Sequence, residues 1–126
     1  MKLTDFLQWL KTLEDMPPAE LGSLNVNKDS FVALYPLSAK DIQAVGFPSS
    51  YNVMGVRIKL RYGKNFSAAE EKILQIKEQL DNVRNTQMNN TTVLFINTEQ
   101  PKFDGKDINR VFEFTLNARI YYERSK

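Results

Sequence analysis

The 126 residues carry 17 Lys and Arg against 15 Asp and Glu, a formal net charge of +2, which is too balanced for bulk attraction to nucleic acid. With 42% hydrophobic and 25% charged residues, the composition is that of an ordinary soluble globular chain, and its length suits one domain burying roughly two-thirds of its unfolded surface. Cysteine and histidine are both absent, so disulfides, thiolate nucleophiles, cysteine-held metals and imidazole proton transfer are excluded together.

Leu3, Phe6, Leu7, Leu10 and Leu13 recur at spacings of three and four, which predicts an amphipathic first helix over residues 3–13. Pro17 and Pro18 are expected to end it, since proline lacks the N–H that the helix needs. No signal-peptide pattern is expected at this end, and no stretch approaches the roughly 20 apolar residues of a membrane-spanning helix. Residues 19–29 are predicted to be loop. Phe31 to Tyr35, bounded by Asp29 and Pro36, form a short apolar run that suits a strand over 30–37. Residues 38–52 show no sustained period and are predicted to be a connection, with a short turn of helix near Ala39 to Val45.

From Val53 to Tyr62 the alternation is clear. Met54, Val56, Ile58, Leu60 and Tyr62 share one face, and Arg57, Lys59 and Arg61 the other. Gly63 closes this strand. Ser67 and Glu70 have the S-x-x-E spacing of a capping box, predicting a helix over 68–83. Its buried stripe is Ala69, Ile73, Ile76, Leu80 and Val83, with Glu71, Lys72, Glu78 and Gln79 turned away. Asn85, Asn89 and Asn90 mark a polar break, and the apolar run Val93 to Ile96 predicts a strand inside the sheet. Residues 99–109 are expected to form a loop or a short edge hairpin. The final strand then alternates over about ten residues, with Phe112, Phe114, Leu116, Ala118, Ile120 and Tyr122 facing the core. The expectation is a single α+β domain over residues 1–126, in the order α-β-β-α-β-β, its mostly antiparallel sheet packed against two helices.

Arg57, Lys59 and Arg61 put three cations in a row on the strand face opposite the core. Such a row suits a solvated face, one paired across the sheet with carboxylates such as Glu113, or a subunit contact; the alternative is binding to nucleic-acid backbone. Asp104, Gly105, Lys106 and Asp107 lack the spacing of a calcium or phosphate loop and predict a turn. Trp9, Phe112, Phe114, Tyr121 and Tyr122 are expected to be core residues and not stacking platforms for bases. No convergent catalytic set is found, so no enzyme, metal or cofactor is expected. Long regular strands, however, invite pairing with another copy of the chain.

Two segments carry a resemblance. The run V-R-I-K-L-R-Y-G-K-N-F-S-A-A-E-E-K-I-L-Q-I-K-E-Q-L is similar to the middle of the minor capsid and tail-terminator (head–tail joining) proteins of tailed bacteriophages. The run V-L-F-I-N-T-E-Q-P-K-F-D-G-K-D-I-N-R-V-F-E-F-T-L-N-A-R-I-Y-Y resembles the same family's strand, proline and glycine connection, and long last strand. Together with the strand's start at Val53 they span residues 53–122, and Arg61-Tyr62-Gly63 stands where the family more often has Arg followed at once by Gly. The resemblance implies a structural virion subunit, assembled in the bacterial host cytoplasm as a ring of this chain, expected to be a hexamer. That ring would sit between the tail-tube protein and the head connector, with no membrane and no specific nucleic acid as partner. It also implies that ring contacts fall on the polar strand faces and the 101–109 loop, with Arg57, Lys59, Arg61, Glu113 and Arg119 as interface residues. The competing expectation is a nucleic-acid-binding or regulatory module of ferredoxin-like shape using strand 57–61.

Overall fold

The computed structural model describes residues 1–23, 27–37 and 51–123, of Tyr51 only the backbone. The two clearest alternating segments form the middle of the sheet. Strand β3 is Tyr51–Tyr62 and strand β7 is Phe112–Glu123, paired antiparallel from Tyr51↔Glu123 to Arg61↔Glu113. Period-two alternation puts Val56, Ile58 and Leu60 on the same side as Phe114, Leu116, Ala118 and Ile120, all buried in one core.

That side is covered by α2, Phe66–Asp81. The predicted stripe lies where its spacing requires, with Ala69, Ile73, Ile76 and Leu80 fully buried and Val83 just beyond the helix end. The start of the helix differs from expectation. Asn65 is the N-cap, its side chain accepting from the Ala68 amide at 3.1 Å, so the helix begins at Phe66 and Ser67 lies inside its first turn. The capping-box reading of Ser67 and Glu70 is thereby corrected: asparagine caps as well as serine does, and the residue directly after the Gly63 turn occupies the position first. Gly63 itself has φ +63, a left-handed conformation that a side chain would strain.

Strand β2, Ser30–Pro36, pairs antiparallel with β3 as expected. Beside it lies a strand that the sequence does not announce: β1, Ala19–Leu21, runs parallel to β2 within residues expected to be loop. Strand β4, Arg84–Met88, is a second addition, forming a hairpin with β5, Thr91–Thr98, through Asn89 at φ +57. Strand β5 is interior, between β4 and β7, and buries Val93 and Ile96. Strand β6, Lys102–Lys106, occupies the expected edge hairpin. It continues the line of β5 along β7: Thr98 pairs with Ala118, the Glu99 amide bonds the Asn117 carbonyl at 2.9 Å, and Lys102 pairs with Thr115. Pro101, lacking an N–H, separates the two strands.

Among the described residues the order is therefore α-β-β-β-α-β-β-β-β, with the sheet path β1-β2-β3-β7-β5-β4 and β6 on β7. All pairings but β1 with β2 are antiparallel. The expected α+β architecture of one sheet and two helices holds, richer in strands than expected. The possible turn at 39–45 lies outside the described residues.

The first helix, α1, is Leu3–Leu10 and ends seven residues before Pro17, in turns bonding Thr12 and Leu13 back to Trp9 and Leu10. The prolines do not end it; they follow a further turn at Asp15, where φ is +58. Helix α1 buries Phe6 and Leu10 and touches both β1 and β4. Six strands laid flat would hold their outer members about 24 Å apart, twice the roughly 12 Å length of an eight-residue helix. The sheet must therefore curl around α2, and α1 closes the gap between its margins. The Asn89 side chain clasps that closure by donating to the Asp5 carboxylate at 2.9 Å.

Candidate subunit interface

Among the described residues both helices pack on one side of the sheet, and neither lies on the other face of β3 and β7. Alternation puts Arg57, Lys59 and Arg61 on that face, and the register sets Asn117, Thr115 and Glu113 of β7 directly opposite them. Arg119 lies one step further, between Gly55 and Asn97. All five sequence-predicted residues thus share one face.

They do not share one environment. Arg57 is exposed and donates from Nε to Asn117 Oδ1 at 3.2 Å; Lys59 and Arg119 are half-buried. Two shallow hollows meet at Arg57. One is lined by Leu37, Glu99, Asn117 and Arg119, the other by Lys59, Lys102, Asp104 and Thr115. Asp104 accepts a hydrogen bond from the Thr115 hydroxyl, which holds one of the few carboxylates here against the strand.

Arg61 is different: it has no exposed surface at all. Its guanidinium pairs with Asp107 and, at 3.1 Å, with Glu113, while Nε donates to the Lys28 carbonyl at 3.1 Å. Burial works against the charge, but the two carboxylates outweigh it and raise the guanidinium's pKa above its ordinary value. Asp107 moves the other way. The Arg61 hydrogen bond, followed by the amides of Val111 and Asn109, holds its carboxyl below the usual range.

By pairing with Asp107 as well as Glu113, Arg61 therefore braces the hairpin between β6 and β7. Asp107 also bonds Val111 and Arg110 through its backbone, and Arg110 takes φ +65 at the tip. This holds Ile108 out with 97% of its surface exposed. Asp104, Gly105 and Lys106, predicted to be a turn, instead end strand β6, because β7 offers them a ladder; the turn itself follows Asp107. Of the aromatic residues expected in the core, Phe114 and Tyr121 are buried, while Trp9, Phe112 and Tyr122 are partly buried against the core cluster.

Lys102, Asp104 and Asn117 belong to the face but were not singled out by sequence. They are neighbours only through the β6–β7 register, which has an irregularity between Phe103 and Gly105 that no spacing reveals. Among the described residues, no group of three or more carboxylates could hold a metal ion, and no helix is long and apolar enough to cross a membrane. Comparison with known families matches residues 6–124 to the model of the bacteriophage tail terminator protein. A search of the curated proteins returned no match.

Proposed function

The chain belongs to the bacteriophage tail terminator family, and from that membership we propose that it is one subunit of a ring, six copies in all, that ends the tail tube and joins it to the head. A structural role in the phage tail, as a component of the virion, follows from the family itself. In this reading the ring caps the last tail-tube layer on one side and offers a surface to the head connector on the other. It works by shape and interface, with no bond chemistry, no cofactor, no membrane and no specific nucleic acid.

The observation that carries the ring reading is the face of β3 and β7 on which, among the described residues, no helix lies, and where Arg57, Lys59, Lys102 and Arg119 surround two adjoining hollows. A sheet face of this kind, polar at its margin and carrying local hollows, suits a neighbouring protein surface. The competing use, binding nucleic-acid backbone, rests on strand 57–61 and is weakened because one of its three cations, Arg61, is sequestered in an internal ion pair.

Arg57→Glu combined with Lys59→Glu tests this use of the face. The expected result is a fall in native mass from the ring to single subunits at moderate salt, with the circular dichroism of the folded chain retained. A ring of unchanged mass would remove this face from the interface.

A further inference from the structure

We propose that the partner of the sheet face carrying Arg57 and Lys59 is helix α2 of the next copy of this chain, so that the subunits of the proposed ring meet head to tail. This rests on the ring reading and adds to it which two surfaces touch.

The sequence of α2 looks electrically balanced, but its outward surface is not. Lys72, expected to face solvent, is only 8% exposed. Its ammonium donates to the Asp15 carbonyl and to Gln75 Oε1, and lies 5.9 Å from the centre of the Tyr62 ring. Lys77 is also engaged, with Asp81 at 2.7 Å and the Thr98 hydroxyl at 2.9 Å. Both lysines of the helix are therefore committed to the subunit's own structure. The charged residues of α2 that remain exposed are Glu70, Glu71 and Glu78, with Leu74 at 44% exposure between them. Glu70, Leu74 and Glu78 are spaced by four, so they form one stripe.

The opposite happens on the sheet. Glu113 is closed on Arg61, and the hollows are lined by four cations, Arg57, Lys59, Lys102 and Arg119, against two carboxylates, Glu99 and the Thr115-bonded Asp104. The hollows thus keep an excess of cations, and the outward surface of α2 an excess of carboxylates. The carboxylate stripe and the cationic hollows lie on opposite sides of the same sheet, because α2 covers the face that Arg57 and Lys59 do not share. Two like faces would repel, which disfavours a twofold contact. Opposite faces attract, and a contact between different surfaces repeats from copy to copy and closes as a ring when its rotation allows. A helix seated on a sheet is also the ordinary way to cover one.

The test is a charge exchange followed by sedimentation at low salt. Glu70→Lys with Glu78→Lys makes the helix cationic, and Arg57→Glu with Lys59→Glu makes the sheet anionic. Each variant alone is expected to associate at least about tenfold more weakly than the natural chain, since two attractive pairs become repulsive. Their equimolar mixture is expected to reassemble, each unaltered surface meeting its opposite. Normal association of the helix variant, or a mixture that stays apart, overturns the contact and leaves the ring reading standing. A natural chain that forms no ring, in solution or on tail tubes, overturns both. Engineered disulfides give a second measurement, because the chain has no cysteine of its own. Leu74→Cys and Asn117→Cys chains are expected to crosslink when mixed and not separately; crosslinking of either one alone contradicts the head-to-tail arrangement.

Discussion

Arg61 shows how far a single residue's role depends on what the fold sets beside it. Alternation correctly assigns its face, and pairing with Glu113 is one of the uses the sequence suggests. The third partner, Asp107, is 46 residues away and reaches Arg61 only through the β6–β7 hairpin. Replacing a buried, paired cation leaves two carboxylates without their partner, so Arg61→Met is expected to lower unfolding stability by about 3 kcal/mol in urea titration. Arg61→Lys should recover only part of this, because an ammonium cannot fork between two carboxylates and a carbonyl.

A pH dependence follows from the same contacts. Asp107 has its pKa depressed, chiefly by Arg61, so its contribution is fully present above its ordinary value of 3.8 and is lost as pH falls through the lower native value. Asp5, held by the Lys2 amide and Asn89, acts in the same direction. Stability measured by denaturant titration should therefore fall below about pH 4, and less steeply in Asp107→Asn than in the natural chain. Equal slopes would mean that Asp107 is not held by Arg61 in solution.

Among the elements, those with a strong period were legible and those created by their neighbours were not. The stripe of α2 and the alternation of β3 and β7 reflect burial of one face, which selects apolar residues at a fixed spacing. Strand β4, with the sequence Arg-Asn-Thr-Gln-Met, buries only Met88 and exists because β5 offers it a ladder across the Asn89 turn. Strand β1 has three residues, too few for any period, and is held by its parallel register to β2. Lys72 departs from its expected outward position because a long lysine on a helix flank can fold back over apolar neighbours to reach a carbonyl. The helix start was misread because two capping signals lie two residues apart. Asn65→Ala is expected to cost about 1 kcal/mol in thermal or urea unfolding, and Ser67→Ala only a few tenths. The reverse ranking would restore the capping box.

At the scale of the whole molecule, both helices lie on one side of the sheet among the described residues. The sequence foretold which residues lie on the other face of β3 and β7, the one proposed to meet a neighbour. What the sequence could not foretell is the electrical sidedness. A net charge of +2 conceals an outward carboxylate stripe on α2 and cationic hollows across the sheet, because side chains balanced in the sequence pair off unequally in the fold. Those exposed charges are within reach of salt screening, so association of the proposed ring should weaken as ionic strength rises to the physiological range, where the Debye length is about 8 Å.

The most direct measurement is electron microscopy of tails assembled in host cells with and without this gene, with the chain carrying a small peptide label. With the gene present, tails of uniform length are expected to carry the label at one end only; without it, tail tubes should vary in length and remain unjoined to heads. Uniform, head-joined tails in its absence, or label spread along the tube, would contradict a ring that terminates the tail.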